Sequence, residues 1–377
     1  MLLMLLNEEI IVFSNGGIFL NDDILENRII TQDMENIYSR NIEWSILKHS
    51  NILISGATGM LATYLVYFLI WLNETYKYNI KIIALVRSKK KAYACFGKYI
   101  NKSYFQLNTD DICSPIKEID VDYIFHTASL ASPQYYQSMP VEVAAPNVLG
   151  TYHLLELAKK KRVKGFVYFS SGDVYGKMPN GVGEFEEDAM GITDPLAVHS
   201  CYSESKRMGE TWCACFAREY NVPVKIARIG HTYAPTMDIE HDPRVFASFM
   251  KCLVDGKDIV MLSDGRAKRP FCYINDAIEA FFIILFHGKN GEAYNVCNDK
   301  QFFSISEIAD VFASLDDENK IKVIRKKRNS ADGYIENTDN RANLPSSAKL
   351  YAMGWNCQYD VITGFKQVFL FLKKKEV

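Results

Sequence analysis

No stretch of this 377-residue chain holds the ~20 consecutive apolar residues needed to cross a bilayer. Leu61 to Leu72 is apolar nearly all round but much shorter, so it reads as a buried helix. An excess of one charge is also missing. The 43 Lys and Arg against 45 Asp and Glu leave a net charge of −2, which gives no reason to expect nucleic acid or an anionic membrane as partner. The basic clusters Lys89-Lys90-Lys91 and Arg325-Lys326-Lys327-Arg328 read as solvated faces. None of the nine cysteines forms a Cys-x-x-Cys pair, and Cys213-Ala214-Cys215 is too tight for a zinc knuckle, so no metal is expected. Scattered unpaired cysteines fit a reducing compartment, and a cytoplasmic location is expected. The apolar start Met1 to Leu6 has no basic flank and is followed by Glu8-Glu9, which argues against a secretory signal. There is no internal repeat and no low-complexity linker. With 48% hydrophobic residues the chain can build a sizeable core, and its length suits one large or two intimate domains.

Two local patterns carry chemistry. Ile52-Leu53-Ile54 is a short apolar strand, followed by Gly56-Ala57-Thr58-Gly59-Met60-Leu61-Ala62 and a helical run. Strand, Gly-x-x-Gly-x-x-Ala turn and helix in that order form a dinucleotide fingerprint. Gly56 permits the tight turn, Gly59 lets the backbone approach a pyrophosphate, and Ala62 keeps the helix close to the sheet. The helix N-terminus then faces the phosphates, with Thr58 and Met60 beside them. The second pattern is Cys201-Tyr202-Ser203-Glu204-Ser205-Lys206. Residues four apart share a helix face, so the Lys206 ammonium can sit near the Tyr202 phenol and favour the phenolate. Such a pair can take a proton from an alcohol while a hydride leaves the same carbon.

Further segments follow in order. They are Asp122-Tyr123-Ile124-Phe125-His126-Thr127-Ala128-Ser129, Asn147-Val148-Leu149-Gly150-Thr151 and Phe169-Ser170-Ser171-Gly172-Asp173-Val174-Tyr175-Gly176. Arg228 to Pro235, Arg266 to Asp276 and Gly354-Trp355 complete the series. Together, over Asn51 to Lys373, the chain resembles an extended short-chain dehydrogenase/reductase of the nucleotide-sugar epimerase, dehydratase and decarboxylase group. The resemblance implies an α/β fold, a Rossmann-type doubly wound parallel sheet with a smaller C-terminal substrate-binding α/β region. It implies a nicotinamide cofactor, a nucleotide-diphosphate sugar as substrate and a homodimer. Ala128 would lie against the nicotinamide ribose, which Lys206 would also hold. Tyr202 would take the proton from the sugar 4-hydroxyl, with Ser171 orienting that oxygen.

The organisation expected is an N-terminal appendage over 1–50, a dinucleotide-binding domain over 51–235 and a mainly sugar-nucleotide-binding region over 236–377, some of whose strands return to the sheet. Thr31 to Lys48 has helical character, with Ile37, Tyr38, Ile42, Trp44 and Ile46 available to pack on the core or on a second subunit. Strands are expected at Lys81 to Val86, Tyr104 to Leu107, Tyr123 to His126, Gly165 to Ser170 and Val224 to Arg228, joined by right-handed crossovers.

The cofactor pattern departs from the usual one. The second strand ends Leu85-Val86-Arg87, without the acid that holds a ribose 2′-hydroxyl. Arg87 could receive the 2′-phosphate of NADP or simply be a surface residue. The family usually holds NAD, and Asp111-Ile112 resembles its adenine-contacting pair, so NAD is the expectation and NADP the alternative.

Three outcomes compete after oxidation at C4: decarboxylation, 4-epimerisation or 4,6-dehydration. Dehydratases carry an Asp-Glu pair where this chain has Gly172-Asp173, whereas UDP-glucuronate decarboxylases carry one acid, so Asp173 joins the catalytic set. Ala128 to Tyr136 and Asp242-Pro243-Arg244-Val245 also resemble the decarboxylases. They imply Ser132, Tyr136 and Arg244 as substrate contacts, with His231 and with Arg269 at the diphosphate. The departures are His199 in place of Arg, His231 in place of Asn and Thr236 in place of Arg. A reading of another class is a non-catalytic cofactor-sensing protein, against which the intact Ser171, Tyr202 and Lys206 set argues.

Overall fold

The computed structural model describes residues 24–179, 182–242, 244–316, 320–326 and 344–373, with the backbone of two short strands, Leu5–Leu6 and Glu9–Ile10. The side chains of the apolar start, and Lys327-Arg328 of the second basic cluster, lie outside the described residues.

Seven parallel strands form the central sheet: β1 (Asn51–Ser55), β2 (Lys81–Leu85), β3 (Phe105–Asn108), β4 (Tyr123–His126), β5 (Gly165–Ser171), β6 (Val224–Ile229) and β7 (Ala293–Val296). Their spatial order is β7-β6-β5-β4-β1-β2-β3. Helices cover both faces, so β1, β2 and β4 are buried almost end to end and their sequences read as continuous apolar runs. Strand order reverses between β1 and β4, where Ser55 pairs with Leu85 on one side and His126 on the other. A crevice opens beyond the carboxyl ends of the strands at that point.

A second, three-stranded sheet pairs His231–Tyr233 in parallel with Lys268–Tyr273, which pairs antiparallel with Phe302–Ser304. It places His231 and Arg269 over the crevice. No helix among the described residues is long and apolar enough to cross a membrane.

The N-terminal helix α1 (Arg28–Tyr38) is capped by Asn27, whose side chain accepts from the Ile29 N–H at 3.0 Å. Its buried face, Ile30, Met34 and Ile37, repeats at helical spacing. Trp44 packs edge-on against Phe68 and Phe282, with ring centroids 4.9 and 5.0 Å apart. The segment therefore docks on the core of its own chain. Ile46 differs from its expected role: it is 40% exposed, because the short turn Trp44–Leu47 buries Trp44 and Leu47 instead. Asp33 is a buried polar anchor, accepting hydrogen bonds from Tyr64, from Tyr273 at 2.6 Å and from Asn275 at 3.1 Å. Arg40 lies 3.3 Å from Asp276 and 3.6 Å from Glu279, both on the helix Ile274–His287.

Candidate active site

The turn after β1 is shaped by crowding. Gly56 has φ of +66°, and a Cβ there would stand 2.7 Å from the Ala128 Cα, so only glycine fits. Gly59 caps helix α2 (Met60–Tyr76) without any side-chain hydrogen bond, which leaves the first-turn N–H groups facing the crevice. Thr58 and Met60 are half-buried beside it. The donors, the helix dipole and the absence of a Cβ all suit a dinucleotide pyrophosphate. Ser55 locks the neighbouring strand end. Its hydroxyl meets His126 Nδ1 at 2.8 Å and accepts the Thr127 and Ala128 N–H groups at 3.1 and 3.2 Å. His126 Nε2 contacts Thr151 Oγ1 at 3.0 Å.

At the far end of the crevice Arg87 is exposed just past β2. Asp111, also exposed, accepts the Cys113 N–H at 3.0 Å, and both Asp111 and Arg87 act electrostatically on the Cys113 thiol. Ile112 packs under Gly150, where a Cβ would meet its Cγ1 at 3.1 Å. The structure thus gathers Arg87, Asp111 and Ile112 at one edge, beyond β2 and β3.

Tyr202 and Lys206 lie on α4 (Cys201–Tyr220), and both are buried. The Lys206 ammonium donates to the Phe169 carbonyl on β5 at 2.6 Å and stands 5.8 Å from the Tyr202 ring centroid. Burial lowers Lys206 to about 7, with Glu210 opposing. Burial pushes the Tyr202 phenol well above the ordinary tyrosine value, and Asp173 adds to this. A hydrogen bond with Ser171 and the Arg244 charge act the other way. This differs from what helical spacing suggests: the ammonium is turned onto β5, and desolvation rather than Lys206 dominates the phenol.

Ser171 accepts the Asp173 N–H at 3.2 Å and so caps the short turn Gly172–Tyr175. The Asp173 side chain is open to solvent at the crevice mouth, yet the surrounding walls bury it enough to raise its carboxyl. Arg269 and His199 pull it back down. Tyr136 stacks on Tyr202, centroids 5.1 Å apart and planes 13° apart, and meets the edge of His199 at 5.4 Å. The Ser129 and Ser132 hydroxyls nearby, and that of Thr236, are buried with no hydrogen-bond partner among the described residues. Such orphaned donors are expected where a polar ligand completes the site.

Burial lowers His231 to about 3, with the charges of Arg269 and Arg244 adding to the effect, so its imidazole is neutral. Arg244 pairs with Asp242 through Nε at 2.9 Å, and its Nη2 reaches within 4.0 Å of the Met60 Sδ. Arg244 and Met60, from distant parts of the chain, therefore meet across one crevice. Two features escape a reading by motif. Glu210 and Arg228 form a buried pair beneath the site, and His199 faces Asp173 beyond merely replacing an Arg.

A profile of the NAD dependent epimerase/dehydratase family matches residues 52–297. UDP-glucuronic acid decarboxylase 3 of Arabidopsis thaliana is 32% identical over 264 residues, covering 70% of this chain and 74% of that protein. Among solved structures, UDP-glucose 4-epimerase of Thermotoga maritima with UDP-glucose gives a TM-score of 0.72 at 20% identity, covering 87% of this chain and 100% of that one. UDP-glucuronic acid 4-epimerase of Bacillus cereus with UDP-glucuronic acid and NAD gives 0.70 at 19% identity, over 86% and 99%.

Proposed function

The chain belongs to the NAD dependent epimerase/dehydratase family, and from that premise we propose that it is a nucleotide-sugar enzyme that decarboxylates UDP-glucuronate after oxidation at C4. The observation that carries this reading is the grouping of Tyr202, Ser171 and Asp173 with Arg269 and His199 at one crevice. NAD fits the turn around Gly56 and Gly59, with Lys206 and Ala128 toward the nicotinamide end and Asp111 and Ile112 toward the adenine. Its nicotinamide supplies a hydride acceptor and donor at C4.

The protein's own residues handle the protons and the charge. Tyr202 accepts the proton of the 4-hydroxyl, and Ser171 holds that oxygen by hydrogen bonding. A 4-ketone makes the C6 carboxylate that of a β-keto acid, so carbon dioxide leaves as the C5–C6 bonding electrons pass to the C4 oxygen, and the enolate then takes a proton at C5. His199 hydrogen-bonds the carboxylate and Arg269 faces the diphosphate, while Asp173 hydrogen-bonds the ring rather than taking part in the redox step. Arg244, with neutral His231 as a hydrogen-bonding partner, faces the diphosphate. Product mass tests the reaction: incubation with UDP-glucuronate is expected to give loss of carbon dioxide. A product of unchanged mass means epimerisation, and loss of water from a neutral hexose nucleotide means dehydration; either overturns the decarboxylase reading.

Cofactor choice turns on Arg87. The exposed carboxylate of Asp111 at the same edge disfavours a doubly charged 2′-phosphate. Arg87→Ala is therefore expected to leave NAD binding nearly unchanged by calorimetry. Strong NADP binding by the parent, lost by about tenfold or more (about 1.4 kcal/mol) in the variant, would move the assignment to NADP.

A second copy of the chain is the proposed partner. Leu149 in the turn Pro146–Gly150, Tyr152 in the first turn of α3 (Thr151–Lys161) and Met208 on α4 are exposed, and the Tyr152 ring centroid lies 5.2 Å from that of Trp212. Apolar side chains grouped on two adjacent helices suit a symmetric helical interface. Sedimentation is expected to give twice the chain mass, and a monomer at micromolar concentration would remove this proposal.

A further inference from the structure

Glu210 lies one turn beyond Lys206 and two beyond Tyr202 on α4, so the three share a face. Its carboxylate accepts the Ser170 hydroxyl at 2.6 Å and two donors of Arg228, Nε at 3.0 Å and Nη2 at 2.7 Å. Ser170 stands in β5 between Phe169, whose carbonyl holds the Lys206 ammonium, and Ser171. Arg228 is fixed in turn by Nη1 donating to the Glu187 carbonyl at 2.6 Å and by its guanidinium resting 4.9 Å from the Tyr175 ring. Side-chain exposure is 8% for Arg228 and 12% for Glu210, so this ion pair is nearly dry. A dry ion pair is weak support for stability, since well-packed apolar residues often serve as well.

We propose that Glu210 is a positioning residue for proton transfer at Tyr202: its bonds to Ser170 and Arg228 tie α4 to β5 at the level of Ser171, one helical turn from Lys206. The inference rests on the reading of Tyr202 and Lys206 given above. Several groups face Lys206. On its own helix these are Tyr202, Glu210 and Cys213; from β5 there are the Phe169 carbonyl and the Tyr168 ring at 5.0 Å; from β4 there is His126. His126 is lowered to about 3 by burial and is neutral, while burial pushes the Cys213 thiol and the Tyr168 phenol up, so they are neutral as well. Glu210 is thus the one carboxylate in this set. Its loss lets Lys206 give up its proton at a lower pH, so activity that needs the ammonium fades earlier on the alkaline side.

The test compares the holoenzyme and Glu210→Gln across pH values on both sides of the about 7 to which burial brings Lys206. Glutamine can still accept from Ser170 and from one Arg228 donor, but it leaves the Arg228 charge buried without its carboxylate, so a melting curve is read beside the pH profile. The ratio of wild-type to variant kcat is expected to widen as pH rises, by about tenfold for each unit by which the alkaline limb moves, with KM little changed. A loss of equal size at every pH, or no loss, overturns the proposal, because a merely structural role scales the profile without moving it. Should Glu210→Gln fail to fold, Glu210→Asp carries the test. It keeps the charge, so its alkaline limb must coincide with that of wild type at whatever kcat remains, and a displaced limb overturns the proposal. If Tyr202→Phe retains activity, the reading of the site itself fails; if that variant is inactive and the Glu210→Gln limb is unmoved, only this inference fails.

Discussion

Tyr202→Phe is expected to abolish turnover while leaving the fold and NAD binding nearly intact. Loss of a positioned general base costs roughly 10²–10⁴-fold. The substitution removes one oxygen and keeps the ring, so stacking on Tyr136 at 5.1 Å persists. The hydrogen bond with Ser171 is lost, at about 1 kcal/mol of stability, too little to unfold a chain of this size. Burial holds the free phenol protonated well past neutrality, so proton removal must be assisted by groups acting on its oxygen once substrate is bound. Reduced-nicotinamide absorbance and product mass should both vanish in the variant, whereas calorimetry with NAD and the melting curve should barely move. Retention of more than about a tenth of wild-type turnover would sink the proton-transfer role, since that loss is far below the range for general-base removal.

The sheet was legible because its strands are short apolar runs bounded by turn residues, and buried parallel strands must read that way. Lys81–Leu85, Tyr123–His126 and Gly165–Ser171 lie within about a residue of their expected limits. The Gly56 turn was legible because a positive φ and a close backbone approach leave no alternative to glycine. What stayed hidden depends on partners distant in the chain. Asp33, in a helix with other polar residues, resembles a solvated position until Tyr64, Tyr273 and Tyr359 close over it from 31, 240 and 326 residues away. Glu210 looks like one more charge on an amphipathic helix until β6 supplies Arg228. Spacing placed Tyr202 beside Lys206 but could not say where the ammonium points. The Phe169 carbonyl decides that, and it lies 37 residues upstream. The three-stranded sheet carrying His231 and Arg269 was missed because its outer members are only three residues long.

Arg40→Met is expected to be the most destabilising single substitution in the N-terminal segment, and to be so only toward alkaline pH. Arg40 is the cation between Asp276 at 3.3 Å and Glu279 at 3.6 Å, and all three side chains are 8% exposed or less. Breaking a buried pair by removing one partner typically costs about 3–5 kcal/mol, because a charge is left buried and uncompensated. Burial raises Asp276 from 3.8 to about 6 and Glu279 from 4.5 to about 7, while Arg40 pulls both back. These folded values exceed the unfolded ones, so the native state holds the protons more tightly. The stability they contribute is fully present only below the unfolded values of 3.8 and 4.5, and it is lost progressively as pH rises from there through about 6 and 7. Without Arg40 the two carboxyls can escape the penalty only by staying protonated. The variant should therefore be nearly as stable as wild type at about pH 5 and should show the full loss at about pH 8, read by urea unfolding at each pH. Asp276 also accepts the backbone N–H groups of Gln358 and Tyr359 at 3.1 Å, so the loss should loosen the C-terminal segment together with α1. A loss of equal size at both pH values would mean that packing of the Arg40 stem, not its charge, holds the segment down. A loss below about 1 kcal/mol at about pH 8 would mean that Ile30, Met34, Ile37 and Trp44 dock it unaided.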